Sequence, residues 1–513
     1  MDGWFDRRLR QGPFGLSFFT KWLRRNDFAS ARFSFTSWLF LRVLGIIYLI
    51  AFWSLSGQII GLVGEHGILP ARLFLEEVKQ RTAVERFWLL PTLFWINVSD
   101  PFLHGVAVAG LVLSVGLISG FLELPILCLL WLSYLSLVNV GGDFLSFQWD
   151  SLLLETGFLS IFLTPLSFKW FGHKTIAAPP KIILWLLRWL LFRLMFSSGV
   201  VKLASGDPAW RSLTALRYHY ETQPLPTRAA WYFHQLPGTF QDLSVVVMFV
   251  IELAVPLLIF GSKPLRLISA VSLILFQVLI FITGNYCFFN LLAIGLCLLL
   301  VDDSCWPQPW LSAEQQIEGH PKSWPKWVQA SLAVAILLIS SLQLASLFDV
   351  RIPWPSAVIQ FVRVTTPFHI VNSYGLFAVM TTRRPEIIIE GSRDGSTWLP
   401  YEFKYKPGDL RRPPMQVAPH QPRLDWQMWF AALGSYQDNP WFINFEIRLL
   451  QGSPEVLKLL KSNPFPGRPP RYIRAPLYDY HFTDWQTLKR DGTWWRRERL
   501  GPYAPTLSLQ RAE

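Results

Sequence analysis

Nine stretches of mostly apolar residues, each near the length of a bilayer crossing, constrain this chain more than any other feature. A helix covers the hydrocarbon core in about 20 residues, and the candidates are 38–63, 102–119, 121–140, 144–166, 182–203, 243–260, 265–283, 286–301 and 327–347. Backbone in lipid has to satisfy its own hydrogen bonds, so an α-helical multi-pass membrane domain of about nine spans is expected. Arg42, Pro165, Pro256 and Gly284 mark expected irregularities. The stretch 87–98 is too short to span and is broken by Pro91, so it is expected at the interface, where Trp88 and Trp95 are at home.

Composition agrees. Charged residues make up only 16% of the chain, against about 25% in soluble domains. The net charge of +12 is scattered, with no run of five or six like charges, which argues against a nucleic-acid partner and for membrane topology. The arm before the first span carries Arg7, Arg8, Arg10, Lys21, Arg24, Arg25 and Arg32. With nine alternating spans, the turns holding Lys169, Lys174 and Lys181, then Lys263 and Arg266, then Lys322 and Lys326, fall on the arm's side. The positive-inside rule then makes the arm (1–37) cytoplasmic and places the C-terminus in the periplasm or ER lumen. The first apolar stretch exceeds a signal peptide's core and is expected to stay uncleaved. Cys128, Cys287, Cys297 and Cys305 lie in or beside apolar segments, so nothing beyond 305 can form a disulfide or a thiolate metal site.

After the membrane domain (38–348) and a linker (349–365) the texture changes. Glu386-Ile387-Ile388-Ile389-Glu390 leads into a turn at Arg393-Asp394-Gly395-Ser396, and 401–405 then alternates with period two. Residues 444–449 and 471–478 repeat the alternation. Segment 366–513 is therefore expected to be a β-rich exterior domain, a sandwich, with the aromatics Trp494 and Trp495 packing on it or resting on the bilayer.

Two carboxylates head an apolar stretch in Trp149-Asp150-Ser151-Leu152-Leu153-Leu154-Glu155-Thr156-Gly157. A charge at the centre of a membrane helix costs roughly 2.5–3.5 kcal/mol, so each acid needs a partner or a wet cavity. On a helix they point about 140° apart, so one partner cannot easily serve both. The span 182–203 offers Arg188, Arg193 and Lys202 as counter-ions, and Glu252 is a further acid. An interhelical ion-pair network that fixes packing, a substrate- or lipid-binding cavity, and proton chemistry are the three readings. His219, Glu221 and His234 in the exterior segment 205–241 match no standard metal spacing. No nucleophile elbow, phosphate loop or nucleotide fingerprint occurs, and nothing calls for a cofactor.

The Trp149–Gly157 signature resembles that of the lipase maturation factor family. So do Tyr218-His219-Tyr220-Glu221-Thr222-Gln223-Pro224-Leu225-Pro226 and the segment opening with Phe368-His369-Ile370-Val371-Asn372-Ser373-Tyr374. The resemblance implies a multi-pass membrane protein that helps secreted lipases, or other exported clients, reach active form. The membrane is that of the ER, or the inner membrane of a bacterium. In this reading Tyr218, His219, Tyr220, Glu221, Gln223, Trp231 and His234 belong to a rigid client-contact loop, with membrane lipid as a further partner. Separately, the stretch Ser198–Trp210 resembles the Lys-Leu…Trp segment of the vitamin K-dependent carboxylase and its relatives. That likeness implies Lys202 as a candidate base; the other reading is a lysine snorkelling at a helix end. A membrane enzyme or lipid handler built on Asp150, Glu155 and Lys202 is thus the alternative to a non-catalytic maturation factor.

Overall fold

A computed structural model describes residues 32–166, 178–311, 323–348 and 354–509. The basic arm before Arg32, Lys169, Lys174, Lys322 and linker residues 349–353 lie outside the described residues.

Each of the nine expected segments contains a helix: α1 (Ser34–Ser56), α2 (Asp100–Ser119), α3 (Glu123–Val140), α4 (Gln148–Leu163), α5 (Lys181–Ala204), α6 (Gly238–Phe249, continuing as tighter and wider turns to Phe260), α7 (Lys263–Thr283), α8 (Phe289–Leu298) and α9 (Lys326–Leu347). Among the described residues seven are long and apolar enough to cross a membrane. The two exceptions correct the sequence expectation: α4 has 16 residues and α8 has 10. At α4 a 3-10 turn over Gly142–Phe144 precedes the helix and Pro165 follows it. At α8 the chain enters through Cys287 at φ 58°. Both helices pack against α1 and α5, with α3 also covering α4 and α7 also covering α8, so neither has to reach across lipid on its own.

Pro256 disturbs α6 as expected. It has no N–H and its ring collides with the carbonyl four residues earlier, and the ladder re-registers through a π turn at Val250–Ala254 and a 3-10 turn at Val255–Phe260. Arg42 does not disturb α1: its guanidinium reaches Glu123 at 2.5 Å and donates to the Leu117 carbonyl at 2.8 Å, which answers the charge without breaking the helix. Residues 87–98 form a short helix and a 3-10 turn, with Phe87, Trp88, Leu89 and Ile96 exposed.

The C-terminal domain is α+β. The expected sandwich is replaced by one antiparallel sheet of β1 (Pro385–Ile387), β2 (Ile389–Ser392), β3 (Leu399–Phe403), β4 (Leu460–Ser462), β5 (Tyr472–Phe482) and β6 (Trp495–Ser508). β5 is central. It pairs with β6 on one side and with β1 and β2 in succession on the other, so β1 and β2 act as one interrupted strand. Asp394 makes the expected turn, accepting from the backbone N–H groups of Ser396 and Thr397 at 2.8 Å, and these bonds hold its carboxyl well below the usual range.

The strand expected at 444–449 is a helix, Pro440–Gln451. Its alternation is short, whereas Trp441, Phe442, Phe445, Leu449 and Leu450 are buried at helical spacing. Pro440 at the first turn and Gly452 at φ 69° bracket it. This helix and Arg423–Ala432 cover the sheet and remove the need for a second one. Of the two placements expected for these aromatics, packing is the one found: Trp495 is 2% exposed and packs on Phe482 with ring centroids 4.5 Å apart, while Trp494 packs on Trp231.

Candidate functional site

The acids of the Trp149–Gly157 segment lie at the seam between the helices and the C-terminal domain. Asp150, in the first turn of α4, is fully buried. Arg423 of the C-terminal domain forks onto it, Nη1 donating to Oδ2 at 2.9 Å and Nη2 to Oδ1 at 2.8 Å. The Tyr134 hydroxyl of α3 donates to Oδ1 at 2.5 Å. Such a planar two-point pair is among the stronger buried arrangements. Glu155, five residues on, faces elsewhere and has a separate set of donors. Arg193 of α5 pairs with Oε1, while the Asn372 N–H at 2.8 Å and the Tyr374 hydroxyl at 2.8 Å donate to Oε2. Arg193 also donates to the Asn372 carbonyl at 3.1 Å, so the segment opening at Phe368 is held between α4 and α5.

The uncharged residues of the signature serve the same seam. Trp149 stacks on Phe147 at 4.5 Å and meets Trp426 edge-on at 4.8 Å. Gly157 admits the Tyr48 phenol, because a Cβ there sits 1.9 Å from Tyr48 Oη.

Segment 205–241 is drawn under the sheet. Arg384 donates to the carbonyls of Glu221 and Pro224 at 2.8 Å and also reaches that of Gln223. The Glu221 carboxylate accepts from the Phe482 N–H at 2.6 Å and pairs with His481 Nδ1 at 3.0 Å. Glu221 therefore raises the His481 pKa, while burial lowers that of His234, 3.8 Å from the same carboxylate. Of the residues expected to face a client, Tyr220, Glu221, Gln223 and Trp231 are buried, His219 and His234 are half-buried, and Tyr218 is exposed. Trp231 is covered by Trp485 and Trp494, at 4.9 and 5.3 Å.

The third feature is a cavity of about 190 Å³ between α5, α6, α7 and the 205–241 segment. Lys202 and Glu252 form part of its wall, paired at 2.8 Å. Lys202 Nζ donates to both Glu252 oxygens and to the Ser198 carbonyl at 3.0 Å. Its Nζ is thus engaged by three acceptor oxygens. Arg188 stands apart from these groups, donating to the Leu299 carbonyl at 2.7 and 3.0 Å. No group of His, Cys, Asp and Glu suited to a metal ion occurs among the described residues.

Sequence reasoning missed Arg423, Arg384, Asn372, Tyr374 and Tyr134, having sought counter-ions within the spans alone. The available signal was Asp150 itself: its opposite facing on α4 demanded a cation that the Arg193 side could not supply.

Comparison with known proteins covers both sides of this seam. The family model for the lipase maturation factor transmembrane domain matches residues 35–308, and that for the lipase maturation factor C-terminal domain matches 370–505. Lipase maturation factor 2 of Homo sapiens is 38% identical over 92% of this chain and 82% of its own length. That of Gallus gallus is 39% identical over 92% and 81%, and lipase maturation factor 1 of Bos taurus 36% over 93% and 90%. No solved structure matches. With Asp150 in one matched segment and its partner Arg423 in the other, the chain belongs to the lipase maturation factor family.

Proposed function

We propose that the protein is a membrane-bound, chaperone-like maturation factor that helps secreted lipases, or related exported clients, reach active form. The observation that carries this reading is the likeness, over both domains, to relatives named lipase maturation factors. The geometry suggests how the work is done. Three buried clusters lock the C-terminal domain onto the helices, around Asp150, Glu155 and Glu221, so the sheet and the 205–241 segment form one rigid surface. A preorganised surface loses little entropy when it holds a folding intermediate. Tyr232 and Trp485, in contact at 5.4 Å and both exposed, are the aromatic pair at its rim, suited to a client's transiently exposed apolar surface. In this reading the N-terminus is cytoplasmic, the C-terminal domain lies in the ER lumen or periplasm, and the polar network around Asp150, Glu155, Arg193, Lys202 and Glu252 is structural.

The test is lipase activity per unit of secreted lipase antigen in host cells with and without the gene. Loss of the gene is expected to lower the ratio while antigen persists, and Tyr232→Ser with Trp485→Ser is expected to fail in restoring it at an equal membrane level. An unchanged ratio without the gene overturns the reading.

A further inference from the structure

The cavity beside Lys202 is left unused by the maturation role, and its chemistry is specific. Phe240 and Leu279 both line it and are 48% and 44% exposed, so its edge reaches the outer faces of α6 and α7. Those faces also expose Leu243, Val247, Leu275 and Ile282, which is surface for lipid acyl chains. Most of the lining is apolar, with Leu194, Met195, Phe233, Met248, Phe276 and Ile280 among it. A space of about 150 Å³ accommodates benzene, so 190 Å³ takes a small head and several carbons while the remaining chain stays in the bilayer.

The polar wall is electrically neutral. Lys202 and Glu252 cancel, and both Glu252 oxygens are engaged by Nζ. His219 is uncharged at neutral pH because burial and the nearby Lys202 push it down to about 4. An anionic or cationic head therefore finds no unmatched countercharge.

What the wall offers is unanswered acceptors beside one uncommitted hydroxyl, that of Tyr220. Gln223 Nε2 donates to the Thr283 carbonyl at 2.9 Å, which turns Oε1 towards Tyr286, whose hydroxyl donates to it at 2.9 Å. The one phenolic hydrogen is then committed, so the 3.1 Å contact between Tyr286 Oη and His219 Nε2 requires an N–H on Nε2. A neutral imidazole with its proton there carries a bare lone pair on Nδ1, for which no partner occurs among the described residues. Asn290, also in the lining, donates through Nδ2 to Gln277 at 2.7 Å, and its Oδ1 accepts from nothing. A buried acceptor without a donor is costly; Asn290 Oδ1 is one, and the His219 imidazole adds a second lone pair to the lining of the same apolar cavity.

We propose that this cavity binds an uncharged lipid bearing a hydroxyl group. The hydroxyl donates to the His219–Asn290 wall and the hydrocarbon leaves between α6 and α7. The proposal goes beyond the maturation role, and its test is independent of lipase activity.

The full chain in phosphatidylcholine nanodiscs is exposed to three photoactivatable diazirine probes with the same chain: a monoacylglycerol, a methyl ester without a donor, and an alkyl sulfonate. The monoacylglycerol is expected to label lining peptides of α6 and α7 at least tenfold more than the other two. Ser244→Trp, which fills the mouth, is expected to abolish that labelling. Asn290→Leu is expected to cut the alcohol-over-ester preference severalfold while leaving ester labelling unchanged. Equal labelling by the three probes, unchanged labelling in Ser244→Trp, or an unchanged preference in Asn290→Leu overturns the proposal. The probe comparison on the unsubstituted protein decides the matter if a variant does not fold.

Discussion

The seam and the cavity use the same chemistry, a buried acid against a buried base, to opposite ends. At the seam, Asp150 and Glu155 are fully buried and each gathers donors from more than one element, with Arg423, Asn372 and Tyr374 coming from beyond residue 366. At the cavity, Glu252 is held by Lys202 alone and both border open space. A buried pair adds little net stability, but removing one partner is expensive because the other charge is stranded. The cost of stranding depends on whether water can reach the survivor. The seam is therefore a joint that tolerates no one-sided change, whereas the cavity wall can be altered and still hydrate.

The comparison breaks or sharpens with substitution. Asp150→Asn is expected to do most damage, leaving the Arg423 guanidinium buried and unpaired at about 3–5 kcal/mol, read as a lowered midpoint of thermal unfolding in detergent. Asp150→Leu combined with Arg423→Met should recover much of it. Lys202→Met is expected to cost less, about 1–3 kcal/mol, and Glu252→Gln in the same chain should recover most of that. A larger loss at Lys202 than at Asp150 means that water does not reach the stranded Glu252 carboxylate.

Gly157→Ala sets a Cβ 1.9 Å from Tyr48 Oη and is expected to cost about 1–3 kcal/mol by overpacking. Tyr48→Phe should relieve it, since the next ring atom lies at 3.0 Å. Failure of that rescue means the close approach at Gly157 is not what limits the seam.

A further set of effects depends on pH. Glu446 is buried without a partner for either oxygen, and burial raises its pKa from 4.5 to about 8. The folded protein then binds a proton that the unfolded chain releases. Stability is whole below pH 4.5 and declines on the order of 1.4 kcal/mol per pH unit until about 8. Glu446→Gln should flatten this slope in denaturant titrations. His481, raised chiefly by its hydrogen bond to Glu221, acts in the same direction over a window starting at the ordinary 6.5. Its contribution is whole below 6.5 and is lost as pH climbs through the raised value. His481→Gln should remove only that upper part, and more weakly, because the ring is a third exposed.

Much of the architecture was legible because its causes are local. Apolar length marks the helices, Pro256 marks the break in α6, and Asp394-Gly395 marks the hairpin turn. The reading failed where a short pattern was ambiguous. Residues 444–449 alternate like a strand, yet Pro440, Gly452 and the wider spacing of Trp441, Phe445 and Leu449 make a helix. Of the candidate site, the acids were visible as an expense no membrane segment carries unpaired, and their divergence on a helix required separate partners. No spacing, however, singles out Arg193 over Arg188 and Lys202.

The sequence by itself determined that this chain is a bundle of membrane helices with a β-containing C-terminal part, since hydropathy and strand alternation act over a few turns of chain. Only the tertiary structure decided who answers Asp150: Arg423 lies 273 residues away. An ion pair depends on distance in space, and no local pattern records which distant segments the fold brings within reach.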